Sequence, residues 1–203
     1  MIQGSPEWFA TRCGKVTASR VADVIAKTKT GWGASRANYA AELIAERLTQ
    51  TTAPSFTNAA MQWGTDQEPN ARQANEKAKG VEVQEVAFVD HPEIAMTGAS
   101  PDGLVGADGM LEIKCPNTAT HLDTLLEGKI AEKYVTQMMW QMACTGRQWC
   151  DFVSYDPRLP ENMQLFVHRV TRDAGSVLYL ESHVSDFIAE IDDKVARLRE
   201  AYG

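Results

Sequence analysis

With 203 residues, 44% of them hydrophobic and 23% charged, the chain is long enough to bury its own core and has an ordinary soluble composition. A formal net charge of −7 argues against a general nucleic-acid binder. It leaves room for a local basic channel, and it also suits a site that gathers carboxylates around divalent cations. Neither a long apolar run nor a basic-then-apolar start is present, so no membrane span or secretory leader is expected and the location is expected to be cytoplasmic.

In chain order, Ser5-Pro6 opens a short helix that closes near Gly14, and a second helix follows, capped by Thr17 or Ser19. Lys27 to Ser35 reads as a flexible basic loop. Ser35 to Thr49 is helical, with Tyr39, Leu43, Ile44 and Leu48 on one side and Glu42 and Glu46 towards the other. Thr57 to Gly80 reads as a further helix, broken or bent near Gly64 and Pro69. At Val81 the period shortens: Val81 to Val89 alternates like a strand, Asp90 to Glu93 turns, and Ile94 to Ser100 begins the next extended segment.

The stretch "GASPDGLVGADGMLEIKCP", Gly98 to Pro116, forms a hairpin and is followed by a loop rich in Thr and Asn. Ala131 to Gly146 is an apolar-faced helix. "QWCDFVSYD" and "MQLFVHRV" are two strands joined by the turn "PRLPEN". A long amphipathic helix carrying Val177, Leu180, Val184, Phe187, Ile188, Ile191, Val195 and Leu198 ends the chain. This order predicts one domain over residues 1–203, of the α/β or α+β class, with a central mixed sheet flanked by helices.

Cys13, Cys115, Cys144 and Cys150 form no C-x-x-C pair, which argues against a zinc or iron–sulfur site and for reduced, mostly buried thiols. His91, His121 and His168 show no ligand spacing.

The hairpin carries the chemistry. Glu112 and Lys114 share one face of their strand, roughly 7 Å apart, and Ile113 points the other way, into the core. The turn from Gly106 to Gly109 brings Asp102 onto the neighbouring arm beside Glu112. Two carboxylates with an ammonium beside them suit Mg²⁺, a hard ion that takes oxygen ligands. Such a site can support phosphodiester hydrolysis. A surface Glu-x-Lys pair on an ordinary Ser-Pro-Asp-Gly turn is the plainer alternative.

The context of the hairpin resembles the lambda exonuclease family of phage recombination enzymes, within the PD-(D/E)xK nuclease superfamily. "WFATRCGKVTAS" (Trp8 to Ser19), "WGTDQEPNA" (Trp63 to Ala71), "SPDGL…GMLEIKCP", "YVTQMMWQM" (Tyr134 to Met142) and "YDPR" (Tyr155 to Arg158) occur in the family's order and spacing. The resemblance implies a PD-(D/E)xK, restriction-endonuclease-like core. It also implies a Mg²⁺-dependent 5′-to-3′ exonuclease on double-stranded DNA that leaves a 3′-ended single strand for recombination. Two ions per site are expected, with Mn²⁺ able to substitute.

Carried over residue by residue, the resemblance makes Asp102, Glu112 and the backbone carbonyl of Ile113 metal ligands and Lys114 the catalytic lysine. Glu68, rather than its neighbour Asp66, is the helix carboxylate near the second ion. Gln137 lies close to the attacking water, accompanied by Tyr134 one turn earlier. Arg12, Ser19 and Ser100 bind the 5′-phosphate of the DNA end. Lys29 stands where the family has an arginine, and Thr118, Thr120 and His121 replace another, which leaves the strength of 5′-phosphate preference open. Trp32, in its glycine-flanked loop, is a candidate wedge against unpaired bases, whereas Trp8 reads as core packing.

The implied partners are duplex DNA ends, a homotrimeric ring of this chain, and a single-strand annealing protein, in a host bacterial cytoplasm for a phage gene. A restriction- or repair-type endonuclease of the same fold and a catalytically silent DNA-end-binding scaffold are the alternatives.

Overall fold

The computed structural model describes residues 2–53 and 58–203. The helices are α1 (Pro6–Arg12), α2 (Val21–Val24), α3 (Ala34–Thr49), α4 (Ala59–Lys79), α5 (Thr118–Glu127), α6 (Glu132–Thr145) and α7 (Ala174–Tyr202). The strands are β1 (Val16–Thr17), β2 (Lys27–Thr28), β3 (Gly31–Trp32), β4 (Val83–Gln84), β5 (Val89–Asp90), β6 (Thr97–Ala99), β7 (Gly103–Val105), β8 (Gly109–Lys114), β9 (Trp149–Tyr155) and β10 (Leu165–Thr171).

The main sheet has the order β10-β9-β8-β7-β4. It is mixed: β8 and β9 run parallel, and the other neighbours are antiparallel. A smaller sheet pairs β1, β6 and β5. Because side chains alternate along a strand, β8 serves two cores at once. Met110 faces α6, α7, α3 and α2 together with Cys150 and Phe152, while Leu111 and Ile113 pack with Val153, Tyr155 and Ala71 of α4. Both faces of the sheet are therefore covered, and β8 is buried along nearly its whole length. Among the described residues no helix is long and apolar enough to cross a membrane.

Several local expectations are corrected. Thr17 holds the position before the second helical segment, but its side chain caps nothing. Val16 and Thr17 are a strand instead, paired with β6, and the Thr17 N–H donates to the Tyr39 hydroxyl at 3.0 Å. Ser19 lies inside a 3₁₀ turn (Ala18–Arg20) and is exposed. The basic stretch after Ala26 is a small β2–β3 hairpin rather than a loop without order.

In α3 the buried stripe is turned from the expected one: Glu46 and Arg47 are buried and Leu48 is exposed. Glu46 earns its interior place by accepting two backbone N–H bonds, from Gly14 at 2.7 Å and Ala53 at 2.8 Å. Helix α4 runs uninterrupted through Gly64 and Pro69, closing on Gly80 in the left-handed conformation. Its expected start at Thr57 lies outside the described residues, and Asn58 caps it by accepting from the Met61 N–H.

The expected single strand over Val81 to Val89 is two short strands committed to different sheets. The Thr- and Asn-rich segment is helix α5, because Asn117 caps it through the Thr120 N–H at 2.9 Å. No disulfide joins the cysteines; Cys144 and Cys150 are buried, and Cys13 and Cys115 half-buried.

Candidate active site

The site forms just before β7 begins, where β8 runs on beyond its pairing. Strand pairing of β7 with β8 stops at Gly103↔Leu111. Beyond it the Asp102 carboxylate takes over the ladder: its Oδ2 accepts the Ile113 N–H at 2.6 Å. In an extended residue the N–H and C=O point to the same side, so the Ile113 carbonyl faces the side on which Asp102 lies. The two-residue period then puts Glu112 and Lys114 together, with Nζ and Oε1 2.5 Å apart, and buries Ile113 on the opposite face.

Helix α6 crosses this face and supplies two amides. Gln137 Nε2 donates to Glu112 Oε1 at 2.7 Å, and Gln141 Nε2 donates to Glu112 Oε2 at 2.6 Å. Glu112 is fully buried, yet both of its oxygens are hydrogen-bonded. Tyr134, one turn before Gln137, stacks on Phe152 and places its ring 5.2 Å from Lys114 Nζ.

From the other side α4 contributes Glu68. It lines a cleft of about 530 Å³ with Asp102, Trp8, Arg72 and Glu85. Asp66 is exposed and accepts from Gln62 instead. Arg72, one turn after Glu68, pairs with Glu85 at 2.7 Å and donates weakly to the Asp102 carbonyl at 3.4 Å.

The electrostatics show an excess of carboxylate. Asp102 is held well above the usual carboxylate range, first by desolvation and then by repulsion from Glu112. Glu68 is raised chiefly by desolvation, with Lys114 opposing and Glu112 reinforcing. Burial and then the same carboxylates push the Cys115 thiol up to about 12. For Lys114, burial alone would lower the pKa, but Glu112 and Asp102 outweigh it and the ammonium is held charged. An oxygen-only donor set in a negative field fits a hard divalent cation. Among the described residues no three His, Cys, Asp or Glu side chains are drawn into a ready cage, because the Glu112 oxygens are engaged by Lys114 and the two glutamines.

A second group sits on the wall of the cleft. Trp8 is half-buried rather than a core residue: its indole N–H donates to Ser100 Oγ at 2.9 Å, and the Arg12 guanidinium stacks 3.7 Å from its ring centroid. Burial lowers the Arg12 pKa, with Tyr39 and Glu46 opposing, and among the described residues no carboxylate forms an ion pair with the guanidinium. Ser19 and Lys29 make no hydrogen bond to this group; Lys29 is exposed at the tip of the β2–β3 hairpin. Trp32 stays on that hairpin, about half exposed, between Lys27 and Arg36.

Sequence reasoning missed Gln141, Arg72 and the part played by Trp8. Gln141 and Arg72 each stand one helical turn after a residue that was singled out, and that i, i+4 spacing was the available signal.

A family model of the YqaJ-like viral recombinase domain matches residues 7–148, more than half of the chain. The chain belongs to that family. The fold superposes on LHK-Exo, an alkaline exonuclease from Laribacter hongkongensis, with a TM-score of 0.91 and 55% identity, covering 97% of both chains. The same figures hold for LHK-Exo in complex with dAMP. A phage-related exonuclease from Haemophilus somnus 129PT gives a TM-score of 0.74 over 91% of this chain and 96% of its own; at 16% identity that likeness bears on the fold alone. No curated protein sequence matches. The family and fold class expected from the sequence are borne out, and the chain stands among the recombination nucleases, enzymes of DNA.

Proposed function

We propose that this chain is a single-domain exonuclease that degrades the 5′-ended strand of duplex DNA in the 5′-to-3′ direction, releases 5′-mononucleotides and leaves a 3′-ended single strand for annealing. The observation that carries the reading is the meeting of Asp102, Glu112 and Lys114 beside the start of β7, with Glu68 lining one cleft together with Asp102. LHK-Exo, 55% identical, is known in complex with dAMP, a mononucleotide of the class such a reaction releases.

Asp102, Glu112, the Ile113 carbonyl and Glu68 would hold Mg²⁺, two ions per site, with Mn²⁺ as a substitute. When bound, the ions make coordinated water more acidic and stabilise charge on the leaving oxygen. The chain's own groups do the rest. Lys114, set against Glu112, orients the attacking water or eases its deprotonation, and it offsets charge growing on the phosphate. Gln137 keeps its amide at the edge of the same face, where it fixes Glu112 and reaches towards the water. Arg12, with no carboxylate partner, offers its fork to the 5′-phosphate, and Ser100, whose oxygen already accepts from Trp8, keeps its own proton to donate.

A homotrimeric ring around the duplex would reconcile a net charge of −7 with DNA binding, since a basic bore can coexist with acidic outer faces. The expected partner is a single-strand annealing protein.

The test uses a linear duplex with one labelled 5′-phosphorylated strand, with Mg²⁺ or with EDTA, beside Lys114→Ala and a covalently closed circle. Mononucleotides are expected from the 5′ end only, with Mg²⁺ only, and not from the variant. Cleavage of the circle would make the enzyme an endonuclease, and intact linear DNA would leave a DNA-end-binding scaffold.

A further inference from the structure

Gln141 lies in the most enclosed part of α6, fully buried between Trp140 and Met142. Its side chain makes one hydrogen bond among the described residues, to Glu112 Oε2 at 2.6 Å. Only an amide nitrogen can donate to a carboxylate, so the orientation of the amide is fixed and its oxygen is left over. That oxygen, Gln141 Oε1, is buried without a partner. A methionine would fill the same space without an orphaned polar atom, and α6 already places methionines at 138, 139 and 142. The burial penalty at one end of this side chain is set against the hydrogen bond made by its other end.

The two oxygens of Glu112 are treated differently. Oε1 is approached by Lys114 and Gln137, both only half-buried and so within reach of solvent. Oε2 is approached by Gln141, which has no access to solvent. We propose that Gln141 is a positioning residue: it pins Oε2 so that Oε1 is the oxygen presented to the cation, and it thereby sets the affinity of the site for the metal. The proposal rests on the reading of Asp102 and Glu112 as metal carboxylates. It adds to that reading a determinant from the helix core that touches neither metal nor DNA.

The test is calorimetric titration of Mn²⁺ into the full-length wild type, Gln141→Met and Gln141→Ser, with melting curves in EDTA and with kcat and KM on the 5′-phosphorylated duplex. Gln141→Met should weaken Mn²⁺ binding about 10–100-fold. Its kcat should fall at low Mn²⁺ and recover as the ion is raised, while KM for DNA stays put. Gln141→Ser opens room for a water to donate in place of the amide, so its Mn²⁺ affinity should fall between the other two. Unchanged Mn²⁺ affinity in Gln141→Met would overturn the proposal, because a glutamine that only fills space moves stability and not affinity. If the Met variant does not melt cooperatively, Gln141→Ser decides in the same way, weakened binding supporting the proposal and wild-type binding rejecting it. A wild type that takes up no Mn²⁺ would instead overturn the metal-carboxylate reading itself.

Discussion

Replacing Asp102 by asparagine should stabilise the metal-free protein while destroying its activity. The Asp102 pKa is raised in the fold, so the folded state holds the proton more tightly than the unfolded one. Stability from this group is therefore greatest at low pH, and it declines as the pH rises from the unfolded carboxylate range, near 3.8, through the folded value. Wherever that carboxylate is ionised in the fold, it is a liability in the absence of a cation. Asparagine removes the charge and keeps the oxygen that accepts the Ile113 N–H at 2.6 Å.

Relieving one buried, uncompensated polar group is worth about 1–3 kcal/mol, and in a chain of this size 1 kcal/mol moves Tm by roughly 2–4 °C. Asp102→Asn in EDTA at pH 7.5 is then expected to melt roughly 2–12 °C above the wild type. The gain should shrink as the pH is lowered and wild-type Asp102 takes up its proton. Scanning calorimetry in EDTA across pH 5 to 8 measures this directly, with added Mg²⁺ raising the Tm of the wild type only. A variant that melts below the wild type in EDTA at pH 7.5 would refute the account of the field at this site.

Two further outcomes are expected. Arg12→Ala should reduce the kcat/KM advantage of a 5′-phosphorylated end over a 5′-hydroxyl end by about 10–100-fold, the worth of a charge-assisted fork; an unchanged ratio would remove Arg12 from end recognition. Glu46→Gln should lower stability by about 1–3 kcal/mol, because one of its two backbone N–H partners would meet an NH₂ group instead of an oxygen; chemical denaturation showing no difference would reject the idea that this buried carboxylate fastens Gly14 and Ala53.

The hairpin that joins Asp102 to Glu112 and Lys114 was legible in the sequence because it depends on a two-residue period and a turn, both of which are local. Helices α6 and α7 were legible for the same reason, since their apolar stripes repeat over several turns. What escaped depends on partners remote in the chain. Nothing in Val81 to Val89 says that Val83 and Val89 will pair with different strands. Leu48 lost its place in the core to Glu46, whose advantage lies in two N–H groups on separate loops. Trp8 read as core packing because its partners, Ser100 and Arg12, turn a bulky apolar ring into the wall of a cleft. Gln141 was hidden in a run that reads as hydrophobic filling, and its meaning appears only when Glu112 is seen beneath it.

Every residue from Met138 to Cys144 is buried, so nearly two turns of α6 have no side that faces water. Those turns carry Gln141 and directly follow Gln137, which ties the tolerance of the core to the alignment of the reacting groups. An engineer seeking a sturdier enzyme finds no solvent-facing position there, because Met138, Met139 and Met142 are all buried on the helix that carries both amides. Room for improvement lies on the outer side of α7, where Leu178 and Tyr202 stand open to solvent and can be exchanged without reaching the centre.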